Sequence, residues 1–350
     1  VANPVSEFSS LLNTVRDAGL LRRSRLFYLV LFLAITAGMV GAWFGVVLLR
    51  DTWFTLLMAA AMGILFTQFA FITHELAHRQ VFASGKTNDR VGRVMSDLVV
   101  GISYSWWMSK HTRHHANPNT VGKDPDILPD FIVFQEVDAT AKTRFGRFFQ
   151  HRQGWLFFPA LLLEGLNLHR QAFVTVFTPG KVDKRAVEIV LLSVRHVVFI
   201  GAIFAILPLG MAFAFLGVQL AVFGLYMGAS FAPNHKGMPI LPRDSKVDFL
   251  RRQVLTSRNV RGGVWVDYFM GGLNFQVEHH LFPSMPRPHL ARAAEIVREF
   301  CETRSIPYTQ VSILTSYDLV IKHLNKVGLG ADSDPFECPA AGRAGYAGLG

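Results

Sequence analysis

Two charge-free apolar runs, residues 27–49 and 52–73, are separated only by Arg50-Asp51. At about 1.5 Å rise per residue, a helix over either run covers roughly 33 Å, enough to cross a hydrocarbon core of about 30 Å. The pair therefore predicts a tight transmembrane hairpin. Residues 211–232 form another uncharged run. They are preceded by 187–207, which is apolar apart from Glu188 and Arg195-His196, and Pro208-Leu209-Gly210 supplies the turn between the two. Arg195 reads as a side chain snorkelling to the interface rather than as a functional intramembrane charge. The stretch from Trp155 to Leu168 contains Pro159 and Glu164 and is too short to span, so it reads as an interfacial or re-entrant helix. The fold class that follows is an all-α membrane protein, with four transmembrane helices in two hairpins and a cytoplasmic helical cap.

Composition agrees: 51% of the 350 residues are hydrophobic, 17% are charged, and the mean hydropathy is +0.30. Arg22, Arg23 and Arg25 run directly into an apolar stretch too long for a signal peptide, so the first segment is expected to stay in the membrane. Arg16 and these three arginines precede the first span, while the turns within the hairpins carry little charge. Both termini and the long 74–186 segment are accordingly expected on the cytoplasmic side. The net charge of +10 then belongs to a face apposed to anionic lipid, and no nucleic-acid-binding motif accompanies it. Residues 1–328 read as one domain, with amphipathic helices over Pro288–Thr303 and Ser316–Lys326, and the Gly/Ala-rich 329–350 as a disordered tail. Cys301 and Cys338 fit neither a disulfide framework nor a CxxC site, so any metal must be held by nitrogen or oxygen.

Such donors gather at the span ends. Thr73-His74-Glu75-Leu76-Ala77-His78 closes the second span, and its i, i+4 histidines share a helix face. In His111-Thr112-Arg113-His114-His115 the i, i+3 and i+4 positions are expected to present three nitrogens in one direction. Gln276, His279 and His280 repeat that spacing, with glutamine in the slot that His111 fills. The first two clusters and the third flank residues 187–232, so they share a membrane face if that region crosses an even number of times; two spans satisfy this. Of 13 histidines, seven lie in these clusters, and His235 follows the last span on the same face. His151, His169, His196, His289 and His323 read as structural or solvated. Seven or eight imidazoles exceed the needs of one catalytic zinc and imply two metals, although imidazole alone does not choose the element.

The ordered motifs HELAH, HTRHH and QVEHHLFP, set around paired hydrophobic hairpins, resemble the histidine boxes of the membrane fatty acid desaturases over roughly residues 27–325. Gly122-Lys123-Asp124-Pro125-Asp126 and Gly272-Leu273-Asn274-Phe275 extend the likeness. The resemblance implies an oxidoreductase with two iron ions on the catalytic histidines His74, His78, His111, His114, His115, His279 and His280, and with His235 as a further ligand. Around them Gln276, Glu75, Asp124, Asp126, Glu278, Asn274 and Asp267 are candidates to orient the ligands. Glu75 reads equally well as a helix-end acid with no role at the metal.

Glutamine heading the third box is similar to front-end desaturases and to bacterial acyl-CoA and acyl-lipid desaturases, which implies a bacterial cell membrane. Many front-end enzymes carry a fused cytochrome-b-type domain. The 26 residues before the first span are too few for one, so electrons are expected from a separate ferredoxin, flavodoxin or cytochrome-b-type protein with its reductase. The implied reaction takes two external electrons and O2, removes a hydrogen from each of two neighbouring methylenes of an acyl chain held as CoA thioester or membrane lipid, and releases water. An apolar channel is expected to admit the chain. Trp106 and Trp107 either line it or anchor the interface. Arg22, Arg23, Arg25, Arg251 and Arg252 could meet an acyl-CoA headgroup but read first as positive-inside charge. A hydroxylase or ketolase of the same di-iron class is the nearest alternative. An intramembrane zinc metalloprotease would use His74, His78 and Glu75 but leave the other two clusters without purpose.

Overall fold

The computed structural model describes residues 4–129, 131–140 and 143–330. After α1 (Pro4–Asp17) come α2 (Arg25–Leu49) and α3 (Thr55–Ala77), the first hairpin. It turns through Arg50 at φ 39°, where the Thr55 hydroxyl donates to the Arg50 carbonyl at 2.7 Å. A loop carries α4 (Gly85–Arg93), a π-helical turn (Val94–Val100) and α5 (Tyr104–Ala116). Next come α6 (Arg144–Gln150), α7 (Gln153–Leu161) and α8 (Glu164–Phe177), then the second hairpin, α9 (Arg185–Ile206) and α10 (Leu209–His235). The four hairpin helices are long and apolar enough to cross a membrane. Their outer faces carry exposed apolar side chains such as Leu29, Leu33 and Phe44 on α2 and Val197 and Val198 on α9, as lipid contact requires.

The remaining elements form the cap: α11 (Phe249–Thr256), β1 (Asn259–Arg261), α12 (Val264–Phe269), α13 (Gln276–Leu281), α14 (Leu290–Thr303), β2 (Gln310–Ser312) and α15 (Ile313–Gly330). The two three-residue strands pair in parallel and, with an isolated bridge between Thr120 and Leu241, are the β structure among the described residues. Leu11 and Val15 of α1 pack with Leu250, Val254, Val277, Leu281 and Val297, closing an apolar core beneath the third histidine motif.

Helix ends differ from the hydropathy boundaries for a definite reason. Hydropathy stops at Thr73 and Ala232, whereas α3 continues to Ala77 and α10 to His235, so His74 and His235 lie on the last turns of these helices and His78 caps α3. In α10 Pro233 has no N–H to give the Ala229 carbonyl, and the Tyr317 hydroxyl donates to that carbonyl instead, at 2.9 Å. Helix α10 also crosses α3 at close range: a Cβ on Gly63 would lie 2.8 Å from the Gln219 carbonyl oxygen, so glycine permits the approach.

Two expectations are corrected. The stretch Trp155–Leu168 is not one helix but parts of two, broken between Leu161 and Glu164 just after Pro159. Arg195 does not snorkel. It is buried, its Nε donates to the Val99 carbonyl of the π turn at 2.8 Å, and its guanidinium lies 4.5 and 4.1 Å from the ring centroids of Phe66 and Phe199. The π turn leaves carbonyls unmatched, and Arg195 answers one of them inside the bundle. The expected disordered tail lies, apart from its first two residues, outside the described residues.

Candidate metal centre

Helix α5 is held rigidly at its start. The Ser103 Oγ accepts from the Trp106 amide at 3.2 Å, and the Tyr104 amide donates to Asp97 Oδ1 at 2.8 Å. Glu188, on α9, accepts from the Ser105 amide at 3.0 Å and from the Ser103 hydroxyl at 2.5 Å while paired with the buried Arg93 guanidinium. The pitch of the second histidine motif is thus tied to the second hairpin. The third motif sits on the short α13, reached through Gly271 and Gly272 at φ 59° and 81°, a left-handed pair open to glycine.

These elements converge to form two nitrogen sets. His74, His78, His111, His115 and His279 offer five ring nitrogens, all within 4.8 Å of one another, and His114, His235 and His280 offer three more within the same limit. Within the first set the Nε2 atoms of His74 and His111 lie 3.1 Å apart, those of His78 and His111 2.7 Å, and those of His115 and His279 3.1 Å. In the second, His114 and His235 Nε2 are 3.3 Å apart. The expectation that His111, His114 and His115 point one way is therefore corrected. The i, i+4 pair His111 and His115 enters one set and His114 the other, and in the third motif His280 joins His114 while His279 crosses to the five-nitrogen set.

Outward contacts fix the rings of the smaller set. The His114 Nδ1 meets both Asp124 oxygens at 3.1 Å and Asp126 Oδ2 at 3.4 Å, the His235 Nδ1 donates to the Thr256 carbonyl at 2.9 Å, and the His280 Nδ1 donates to Gln253 Oε1 at 2.9 Å. With those protons outward, three Nε2 lone pairs face inward; the Gln276 amide nitrogen meets that of His235, and the buried His280 Nε2 has no hydrogen-bond partner. Burial pushes the His78 imidazole down to about 3. Burial first, and neighbouring imidazoles second, hold His111, His115, His279 and His280 well below the usual range. Burial would lower His114 too, but the Asp126 and Asp124 carboxylates outweigh it and raise it.

The residues fit a metal pair. Nitrogens bound to one ion at about 2.0–2.1 Å stand roughly 3 Å apart, close to the 2.7–3.3 Å of the nearest pairs in the two sets. In the smaller set a cation between the inward lone pairs relieves their mutual repulsion, and the donors of both sets are uniformly imidazole, which suits iron, copper, nickel and zinc.

Other candidates fall differently. The Gln276 amide nitrogen is 2.8 Å from His235 Nε2, beside the three-nitrogen set, and its oxygen accepts from Asn234 at 3.2 Å. Asp124 and Asp126 touch a histidine as expected of orienting carboxylates. Glu75 does not: it accepts from Arg287 Nε and Nη2 at 2.6 and 2.9 Å. Glu278 likewise faces away from the nitrogens and accepts from Asn259 at 2.7 Å and Tyr308 at 2.9 Å. Asn274 donates to Asp267 at 2.7 Å and ties the turn before α13 rather than a ring. Trp107 stacks on His111 with ring centroids 4.2 Å apart, and it lines a cavity with Thr73, His74, Met227 and Phe231. Gln253 escaped notice in the sequence. It holds His280 and also donates to the His115 carbonyl at 3.0 Å, and its one visible sign was a polar side chain among the apolar positions Leu250 and Val254.

A family model of fatty acid desaturases matches residues 51–312, and the chain belongs to that family. It is similar to the acyl-lipid (9-3)-desaturase of Physcomitrium patens, 33% identical over 282 residues that cover 77% of this chain and 52% of that protein. It also resembles the Delta(8)-fatty-acid desaturase 2 of Arabidopsis thaliana, 29% identical over 77% of this chain and 63% of that one. The Delta(5) fatty acid desaturase fat-4 of Caenorhabditis elegans is 28% identical over 91% of this chain and 73% of that protein. The chain spans about half to two thirds of the length of the first two relatives.

Proposed function

We propose that the chain is an O2-dependent fatty acyl desaturase whose two nitrogen sets hold a pair of iron ions. The observation that carries this reading is the division of eight converging imidazoles into two adjoining sets. His74, His78, His111, His115 and His279 would hold one ion and His114, His235 and His280 the other, with Gln276 beside the second. Iron bound there supplies the activation of O2 that removal of hydrogen from unactivated methylenes demands.

The chain's own residues do the rest. Asp124 and Asp126 hold the His114 Nδ1 proton outward, and Gln253 and the Thr256 carbonyl do the same for His280 and His235, so that each Nε2 stays a donor toward the ion. Trp107, Met227 and Phe231 set apolar surface beside His74, where an acyl chain would approach the five-nitrogen set, around a void of only about 20 Å³. Electrons come from a ferredoxin, flavodoxin or cytochrome-b-type partner, and the centre faces the cytoplasm. The zinc-protease alternative loses its base, because Glu75 is buried and doubly bonded to Arg287. The test is turnover in detergent or bilayer discs with a reduced electron carrier, O2 and a fatty acyl substrate. Product two hydrogens lighter than substrate is expected, and hydroxylated product alone would contradict the reading.

A further inference from the structure

A second cavity of about 380 Å³ lies between α5 and α8, within the usual range for a ligand site of about 300–1,000 Å³. Its walls are polar. Helix α8 contributes Glu164, Asn167, Gln171 and Thr175, half-buried residues at helical spacing, and faces Ser105, Ser109 and Arg113 of α5 across the cleft. Lys110 and Lys181 also line it, so that among the described lining residues three cations stand against the one carboxylate of Glu164. Lys110 is already engaged by Asp126 at 3.0 Å. Arg113 spends its Nε on the Ser109 carbonyl at 3.3 Å, and among the described residues none engages the two terminal nitrogens of its guanidinium.

The surroundings say what kind of ligand fits. Next to its polar stripe α8 carries exposed Leu166, Val174 and Phe177, preceded by exposed Leu163, the profile of a helix lying at a lipid boundary. Trp106 lines this cleft, and its neighbour Trp107 lines the apolar cavity beside His74. A cationic, hydroxyl- and amide-lined cleft and a small apolar crevice of about 20 Å³ beside His74 thus adjoin the two consecutive tryptophans. By contrast, two of the five arginines that the sequence offered for a headgroup are committed elsewhere: Arg251 binds Glu7 and Asp248, and Arg252 binds the Ala116 and Val247 carbonyls.

We propose that the α5–α8 cleft seats the phosphate-bearing head of the acyl substrate, with Arg113 and Lys181 as its charged contacts. The chain then leaves the cleft past Trp106 and Trp107 toward His74. This rests on the desaturase reading. The shared chemistry is a phosphate ester, whether the pyrophosphate of a CoA thioester or the phosphodiester of a membrane lipid.

The test separates the two sources and needs no turnover. Dissociation constants of an acyl-CoA, a short-chain phosphatidyl lipid and a phosphate-free acyl glycoside are measured on the full, metal-loaded chain in non-ionic detergent, without reductant. Arg113→Gln and Lys181→Gln should each weaken the phosphate-bearing ligand about fivefold and the double variant more than about tenfold, with Lys181→Arg within about twofold of the parent. Loss confined to the acyl-CoA or to the phosphatidyl lipid identifies the source, and loss with both assigns the cleft to phosphate itself. In all three cases the glycoside is unaffected. Unchanged affinity for both phosphate ligands in the double variant, or an equal loss for the glycoside, overturns the proposal. The desaturase reading is untouched by either result, since it stands or falls on metal content and product.

Discussion

The imidazoles of His115 and His280 lie face to face, with ring centroids 4.1 Å apart and planes 9° from parallel, yet they belong to different nitrogen sets. One stacked pair therefore joins the two halves of the centre. His280→Ala removes a donor from the three-nitrogen set and leaves His115 without its stacking partner. It should reduce bound iron from about two per chain to about one or fewer and abolish product. His323→Ala, on α15 and in neither set, should keep both. Metal analysis and product assay of the two purified variants check this, and equal losses would show that the constellation is misassigned.

Asp124 holds His114 through both of its oxygens and also accepts from the Asn119 amide at 2.7 Å. Asp124→Asn keeps the shape but weakens the grip on the ring. Affinity for the metal of the smaller set should fall about 10–100-fold, measured by competition with a chelator. Affinity equal to the parent's would mean that the carboxylate serves the loop alone.

Gln276→His places an imidazole four residues before His280, on the helix face that carries the smaller set, and should retain iron while altering activity. Gln276→Leu deletes the polar contact with His235 and should cost more activity than the histidine change. Iron content and conversion of the acyl substrate are compared for both. Indifference of both quantities to the leucine change would place the amide outside the site's chemistry.

Arg287→Leu would strand the Glu75 carboxylate, since both side chains are buried and two hydrogen bonds join them. Breaking such a pair from one side costs about 3–5 kcal/mol, read as a lower unfolding midpoint in detergent. Glu75→Gln combined with Arg287→Leu should recover much of that loss. A single variant as stable as the parent would contradict the pairing.

The membrane helices were legible because hydrocarbon thickness imposes a length that a charge-free run must meet. The i, i+4 pairings of His74 with His78 and His111 with His115 were legible because helix pitch imposes them. Neighbouring residues on a helix point about 100° apart, however, so His114 and His115, or His279 and His280, could part company between two sets without any sign in the spacing. Partner choice was less legible still. Glu75 takes Arg287, 212 residues away, and Arg195 answers a carbonyl freed by a π turn, and neither contact has a local pattern. Gln253 was hidden for the same reason, as it acts on histidines of two other segments.

The central claim is that these imidazoles hold two irons, and the most direct measurement is elemental analysis of the purified chain against its protein concentration. About two irons per chain, lost together with product formation when the metal is chelated, is the predicted result. One zinc per chain with no iron would contradict it.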